Sequence, residues 1–241
     1  VQPPRRSATG IREIGAALAA GEELAAVFVA RGASAEPEVE ALLARVRDAG
    51  ATVHVTGSGV LRRFGRGEGL PPVVAVLGPS PRAGLDELLA RAGAVWLLAG
   101  LAYATNAGFA IRTAEVAGAA GVVVDAAFGA AGRRTALRAS MRADRVMPVL
   151  WLPALGAVDA ARRAGVRVVA VEESGAAAPW RTDLTRPSLF VVGNERHGIA
   201  ADVLARCDEI VRVPAAGFIP SYNVHAAMAA VAAERLRQLG A

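Results

Sequence analysis

The chain has 241 residues, room for one large or two small domains, and although 54% of them are hydrophobic, no run approaches the roughly 18 apolar residues of a membrane span. The net charge of +5 is carried by Arg alone, with no Lys, which permits a nucleic-acid partner through bidentate phosphate contacts. A single cysteine, Cys207, excludes an intramolecular disulfide, and with only three scattered His the composition offers no metal site.

Residues 1–10 read as a flexible lead without the character of a secretory signal, so a reducing cytoplasm is the expected setting. The pattern then predicts a helix over Ile11–Ala20 and a buried strand over Leu24–Ala30. A helix follows, with Pro37 in its first turn, Val39, Leu42, Leu43 and Val46 on one face, and Gly50 at its end. Thr52–Thr56 and Val73–Leu77 are two further strands, completing a small α/β unit over residues 1–78. The breaker-rich Gly78-Pro-Ser-Pro-Arg-Ala-Gly84 is the predicted linker, and residues 79–93 include a connecting helix, Leu85–Ala92.

Residues 94–241 resume the alternation. Strands are predicted at Val95–Ala99, Val122–Asp125, Pro148–Leu152, Val166–Val171, Leu189–Val192 and Glu209–Val213. Helices are predicted after Asn106, over Arg133–Ser140, over Ala157–Ala164 and from Ser221, taken as an N-cap, with Val224, Met228 and Val231 facing inward. In the helix after Asn106, Phe109, Ile111 and Val116 are read as packing residues. Alternating β and α over this length implies a parallel sheet covered on both faces.

Four stretches stand out. Ser188-Leu-Phe-Val-Val-Gly-Asn-Glu-Arg-His-Gly198 is a buried strand running into a loop bounded by Gly193 and Gly198, where a ligand can approach the main chain at a strand end. Val211-Arg-Val-Pro214 and Ser221-Tyr-Asn-Val224 follow it, and Asn106-Ala-Gly-Phe-Ala-Ile-Arg112-Thr-Ala precedes it. Together, from about Ala94 to Leu239, these motifs resemble the SpoU/TrmH family of S-adenosylmethionine-dependent RNA ribose methyltransferases, of the SPOUT superfamily.

That resemblance implies a C-terminal SPOUT-type parallel sheet with a trefoil knot, preceded by a small α/β substrate-binding domain. It implies S-adenosyl-L-methionine as cofactor, held bent and largely by backbone groups at Gly193, Val213 and Tyr222, with Val171 and Ala215 as further candidates. It places Arg112 beside the acceptor hydroxyl. A guanidinium is a very poor base, so a phosphate clamp that orients the hydroxyl is the preferred role, with base action left open. Asn106, Glu195, Ser221 and Asn223 complete the implied constellation, Glu195 accepting hydrogen bonds from loop amides or from Arg112, and Asn223 bridging donor and acceptor groups. The family also implies a homodimer in which one subunit's Asn106–Arg112 region completes the other's site.

The chain departs from the usual family pattern at Tyr103-Ala-Thr-Asn106, at Ser140-Met-Arg142-Ala where Ser-x-Gly-Ala is common, and at Ser221-Tyr-Asn-Val-His225 where Ser-Leu-Asn-Val-Ser is usual. Arg62, Arg63 and Arg66 in the first unit, flanking Phe64, and Arg138 and Arg142 in the second are the expected RNA contacts. The leading reading is an RNA 2′-O-ribose methyltransferase acting on ribosomal RNA, with antibiotic self-resistance as one use. The alternatives are a methyltransferase recruited to a small-molecule hydroxyl and an inactive RNA-binding relative.

Overall fold

The computed structural model describes residues 7–64, 71–78, 80–91, 93–219 and 221–240. The chain divides into two compact units, one ending at Arg82 and one running from Ala83.

The first unit contains β1 (Ser7–Thr9), α1 (Gly10–Ala19), β2 (Leu24–Ala30), α2 (Pro37–Asp48), β3 (Thr52–Thr56), α3 (Ser58–Phe64) and β4 (Val73–Leu77). Its sheet has the order β1-β4-β2-β3, with β2 and β3 parallel and the other pairs antiparallel. Ile14 of α1 and Val39, Leu42, Leu43 and Val46 of α2 close over Val27, Val29, Val73 and Ala75. The expected flexible lead is corrected here: Ser7, Ala8 and Thr9 pair with Val76, Ala75 and Val74. Three residues are too few to show a hydropathic period, so only the ladder reveals this strand. α3 is a further addition to the predicted elements, and Gly59 in its first turn weakens the local helix signal.

The second unit contains α4 (Leu85–Leu89), β5 (Ala94–Ala99), α5 (Ala104–Val116), β6 (Gly121–Asp125), α6 (Ala130–Ala139), β7 (Val149–Trp151) and α7 (Ala154–Arg163), then β8 (Arg167–Val171), β9 (Ser188–Val192), α8 (Ala201–Leu204), β10 (Glu209–Val211) and α9 (Val224–Gln238). All six strands are parallel, in the order β10-β8-β9-β5-β6-β7. The strands read as unbroken apolar runs because both faces are covered. Trp96, Leu98, Phe190 and Val192 face α5 and α9, while Val95, Leu97, Leu189 and Val191 face α4, α7 and α8. Trp96 and Phe190 stack at 5.0 Å between ring centres across neighbouring strands; deleting either ring would cost about 3–5 kcal/mol.

Two boundaries matter for the site. β10 ends at Val211, so Val213 lies on the loop beyond the strand rather than within it. α9 begins at Val224 and its N-cap is Asn223, whose side-chain oxygen accepts the His225 amide at 3.3 Å. The expected cap, Ser221, is exposed two positions earlier. Asn and Ser cap comparably well, so local chemistry alone did not choose between them. Phe109 and Val116 are also corrected. They are 42% and 73% exposed, and the buried face of α5 is formed by Ala107, Gly108, Ala110, Ile111 and Ala114.

Candidate active site

At the C-terminal ends of β8, β9 and β10 lies a cavity of about 260 Å³, the place where an open parallel sheet binds ligands. Val171, Val192, Gly193, Val213, Tyr222 and Val224 form its apolar walls, and Glu172, Glu173 and Glu195 its acidic rim. Of the sequence-predicted cofactor contacts, Val171, Gly193, Val213 and Tyr222 meet here, together with Glu195 and Ser221; Ala215 is exposed on the loop beyond. The Tyr222 hydroxyl donates to the Pro214 carbonyl at 3.2 Å, tying the two sides of that loop together.

The loop after β9 folds back on itself. Asn194 and Gly198 exchange two backbone hydrogen bonds of 2.9 Å, while the Asn194 side-chain oxygen accepts the amides of Arg196 and His197. A Cβ on Gly193 would stand 2.2 Å from the Gly198 carbonyl carbon, so the close approach that requires glycine is made first by the chain's own backbone. Gly198 has φ +66° and sits against the carboxylate of Glu172, which also accepts the Ile199 amide at 3.0 Å. Asn194 and Glu172 escaped the sequence reading, although an Asn directly after a strand-ending Gly is a turn signal.

Glu195 joins this loop to α5. Its carboxylate accepts the amides of Ala102 at 2.9 Å and Tyr103 at 3.3 Å, and the side-chain amide of Asn106 at 2.9 Å. The expectation of loop-amide donors therefore holds, and these donors take the place suggested for Arg112. Asn106 in turn accepts from Asn223 at 3.4 Å, and Asn223 reaches the His225 ring, its oxygen 2.6 Å from Nδ1. Tyr103, one of the departures, places its hydroxyl against the Arg196 guanidinium, which lies 5.7 Å from the ring centre. The Gly of Asn-x-Gly also has a structural duty: a Cβ on Gly108 would come within 2.4 Å of the Ala136 carbonyl oxygen, so α5 and α6 touch there.

Arg112 lies elsewhere, exposed in a groove of about 430 Å³ between α5 and α9. Phe109 and His225, whose ring centres are 5.3 Å apart, mark the N-terminal end of this groove, and Val116 and Leu236 continue it. Arg138 is exposed, within 3.5 Å of the Thr135 hydroxyl, and Arg142 is paired with Asp144 at 2.9 Å. Met141 and Arg142 both hold left-handed backbone, φ 57° and 63°, which explains why glycine suits position 142. Arg62 is exposed; Arg66 and the side chain of Arg63 lie outside the described residues. No group of His, Cys, Asp and Glu suited to a metal occurs among the described residues. Cys207 is a half-buried packing residue whose thiol is pushed up to about 11 by burial and by Asp208.

Comparison with known proteins agrees with this geometry. The chain is 31% identical over 176 residues to the 23S rRNA (guanosine-2′-O-)-methyltransferase RlmB of Pseudomonas syringae pv. tomato, covering 70% of each. It is 27% identical over 236 residues to RlmB of Photobacterium profundum, covering 95% of this chain and 96% of that one. The SpoU methyltransferase AviRb from Streptomyces viridochromogenes, solved in complex with AdoMet, matches with a TM-score of 0.58 at 26% identity, covering 99% of this chain and 91% of that one. Residues 94–233, more than half of the chain, match the SpoU rRNA Methylase family, and the chain belongs to that family.

Proposed function

We propose that the chain is an S-adenosylmethionine-dependent 2′-O-methyltransferase of ribosomal RNA. The observation that carries the reading is the junction at Glu195, which holds the loop of one motif, the helix of a second and, through Asn106, the helix start of a third around a single cavity. The curated relatives carry this activity in their names, and AviRb holds the cofactor.

The residues present fit the cofactor. Apolar walls at Val171, Val213 and Tyr222 suit an aromatic ring, and the carboxylates of Glu172, Glu173 and Glu195 suit a molecule with positive centres. When bound, the cofactor supplies an electrophilic methyl carbon. Gly193, Val213, Tyr222 and Val171 hold it, with Ala215 on the adjoining loop. Glu195 and Asn106 fix the loop against α5, and Asn223 fixes the start of α9. Arg112 clamps a phosphate so that the neighbouring ribose hydroxyl is oriented for in-line attack. Ser221, exposed on the cavity wall, meets the acceptor.

The same reading extends to assembly and RNA. The exposed face of α5 and α9, with Phe109, Val116, Ala229, Ala233 and Leu236 along its groove, supports a two-fold homodimer. Insertion of β9 between β5 and β8 supports threading of the β9–α9 segment into a trefoil knot. The unit before Ala83 acts as the RNA-binding domain, with Arg62, Arg63 and Arg66, while Arg138 and Arg142 serve the catalytic unit. No helix among the described residues is long and apolar enough to cross a membrane, and a cytoplasmic enzyme is the reading that fits.

The test is nucleoside mass spectrometry of ribosomal RNA after incubation with the protein and isotope-labelled cofactor. A labelled 2′-O-methylnucleoside is the expected product. A base-methylated nucleoside, or label in a small hydroxylated compound and none in RNA, overturns the reading.

A further inference from the structure

Tyr103 grips two neighbouring residues of the loop after β9. Its backbone amide donates to the Glu195 carboxylate at 3.3 Å, and its side-chain hydroxyl accepts from the Arg196 guanidinium. The guanidinium carbon lies 5.7 Å from the centre of the Tyr103 ring. The Arg196 main chain is held as well, its amide donating to the Asn194 side-chain oxygen at 2.8 Å. An exposed, long side chain is thus tied down at both ends. Holding it in one place costs conformational entropy, and a neutral phenol oxygen recovers only part of that cost.

The guanidinium has no anionic partner among the described residues. Yet the cavity that Arg196 lines also carries Glu172, Glu173 and Glu195. Two of these are committed to main chain. Glu172 accepts the amides of Glu173 and Ile199, and Glu195 those of Ala102 and Tyr103. A carboxylate at position 103 would neutralise the guanidinium, whereas the phenol orients it and leaves its charge in place. Arg196 is the single Arg among the described residues that line the cavity.

We infer that Arg196, oriented by Tyr103, clamps the carboxylate at the amino-acid end of the cofactor. This rests on the methyltransferase reading above. The cofactor carries a sulfonium, an ammonium and a carboxylate. The acidic rim suits the first two and repels the third, so the carboxylate needs a cation beside it. The planar fork of Arg presents parallel N–H donors that match the two oxygens of a carboxylate, which a point charge does not. Arg196 binds and orients the cofactor and takes no part in the transfer. The apolar walls at Val171, Val213 and Tyr222 carry no charge that could do the same.

The test is calorimetry without RNA, with S-adenosylhomocysteine and its decarboxylated analogue, which keeps the adenosine, the sulfur and the amine. The wild-type protein should bind S-adenosylhomocysteine about tenfold more tightly than the analogue. Arg196→Gln, which retains a donor for the Tyr103 hydroxyl, should weaken S-adenosylhomocysteine by about that factor and leave the analogue unchanged. The preference then disappears. Tyr103→Phe should lose part of it, because the guanidinium keeps its charge and loses its anchor.

A wild-type protein that binds the two ligands equally overturns the inference. So does an Arg196→Gln protein that weakens both by the same factor, which marks a residue that merely shapes the loop. Unchanged S-adenosylhomocysteine binding in Arg196→Gln, with weaker ribosomal RNA binding and a smaller salt slope, also overturns it and assigns the guanidinium to an RNA phosphate. In all three cases the wild-type protein still binds S-adenosylhomocysteine, and the methyltransferase reading stands. A wild-type protein that binds neither ligand overturns that reading itself, and the clamp with it.

Discussion

Asn106 and Glu195, 89 positions apart in sequence, are hydrogen-bonded at 2.9 Å, and that bond joins the start of α5 to the loop after β9. Glu195 accepts two backbone amides as well, so its removal strands three donors at once. Glu195→Ala should lower stability by about 2 kcal/mol in urea unfolding. It should also weaken S-adenosylhomocysteine binding in calorimetry, because the loop that walls the cavity loses its anchor.

Gly193→Val tests the close approach of backbone to backbone. Its Cβ would meet the Gly198 and Ile199 main chain at 2.2–2.4 Å, which no side-chain rotation relieves. Cofactor binding should be lost, and the melting temperature should fall because the loop must open to admit the side chain. Binding at wild-type strength would remove Gly193 from the site.

Arg112→Ala should separate turnover from cofactor affinity. Arg112 lines the groove, and the cavity at the ends of β8, β9 and β10 is lined by other residues. A charge-assisted contact made mainly in the transition state is worth about 3 kcal/mol, so turnover should drop on the order of a hundredfold while S-adenosylhomocysteine affinity is retained.

Arg142→Gly should stabilise the protein. A non-glycine residue in left-handed backbone costs about 1–2 kcal/mol, whereas the exposed Arg142–Asp144 pair contributes about 0–1 kcal/mol. The expected net gain, about 1 kcal/mol, is measurable as a raised urea midpoint at unchanged slope.

Cys207 should resist alkylation. With the thiol raised from 9.0 to about 11, chiefly by burial and then by Asp208, the thiolate fraction at neutral pH is minute. Iodoacetamide should react on the order of a hundredfold more slowly than with free cysteine. The sign for stability follows: the contribution is fully present below the unfolded value and is lost as pH rises through the folded one, so alkaline unfolding should ease between these values.

The central sheet was legible because a strand buried on both faces has to be an apolar run, and Val95–Ala99, Val122–Asp125 and Leu189–Val192 all read that way. Glu195 was legible as a loop carboxylate between glycines, and its amide partners followed from position. The direction of its hydrogen bonds was not, because Asn106, Asn223 and His225 come together only when α5 and α9 lie side by side. The cap at Asn223 was missed for a simpler reason: Ser221 is an equally good capping residue, and tertiary contacts decided between them. Phe109 and Val116 looked like core because α5 carries apolar residues around more of its surface than the sheet can cover.

The closing bond of the Glu195 line, from Asn223 to Asn106, spans 117 positions. During synthesis, residue 106 therefore waits for most of the second unit before its partner exists. A nascent chain has neither the α9 start nor the wall at Tyr222 until the ribosome has added residue 225. The line from Glu195 to α9 is thus closed by the last helix of the chain, so folding of the second unit completes the cavity wall only in its final step.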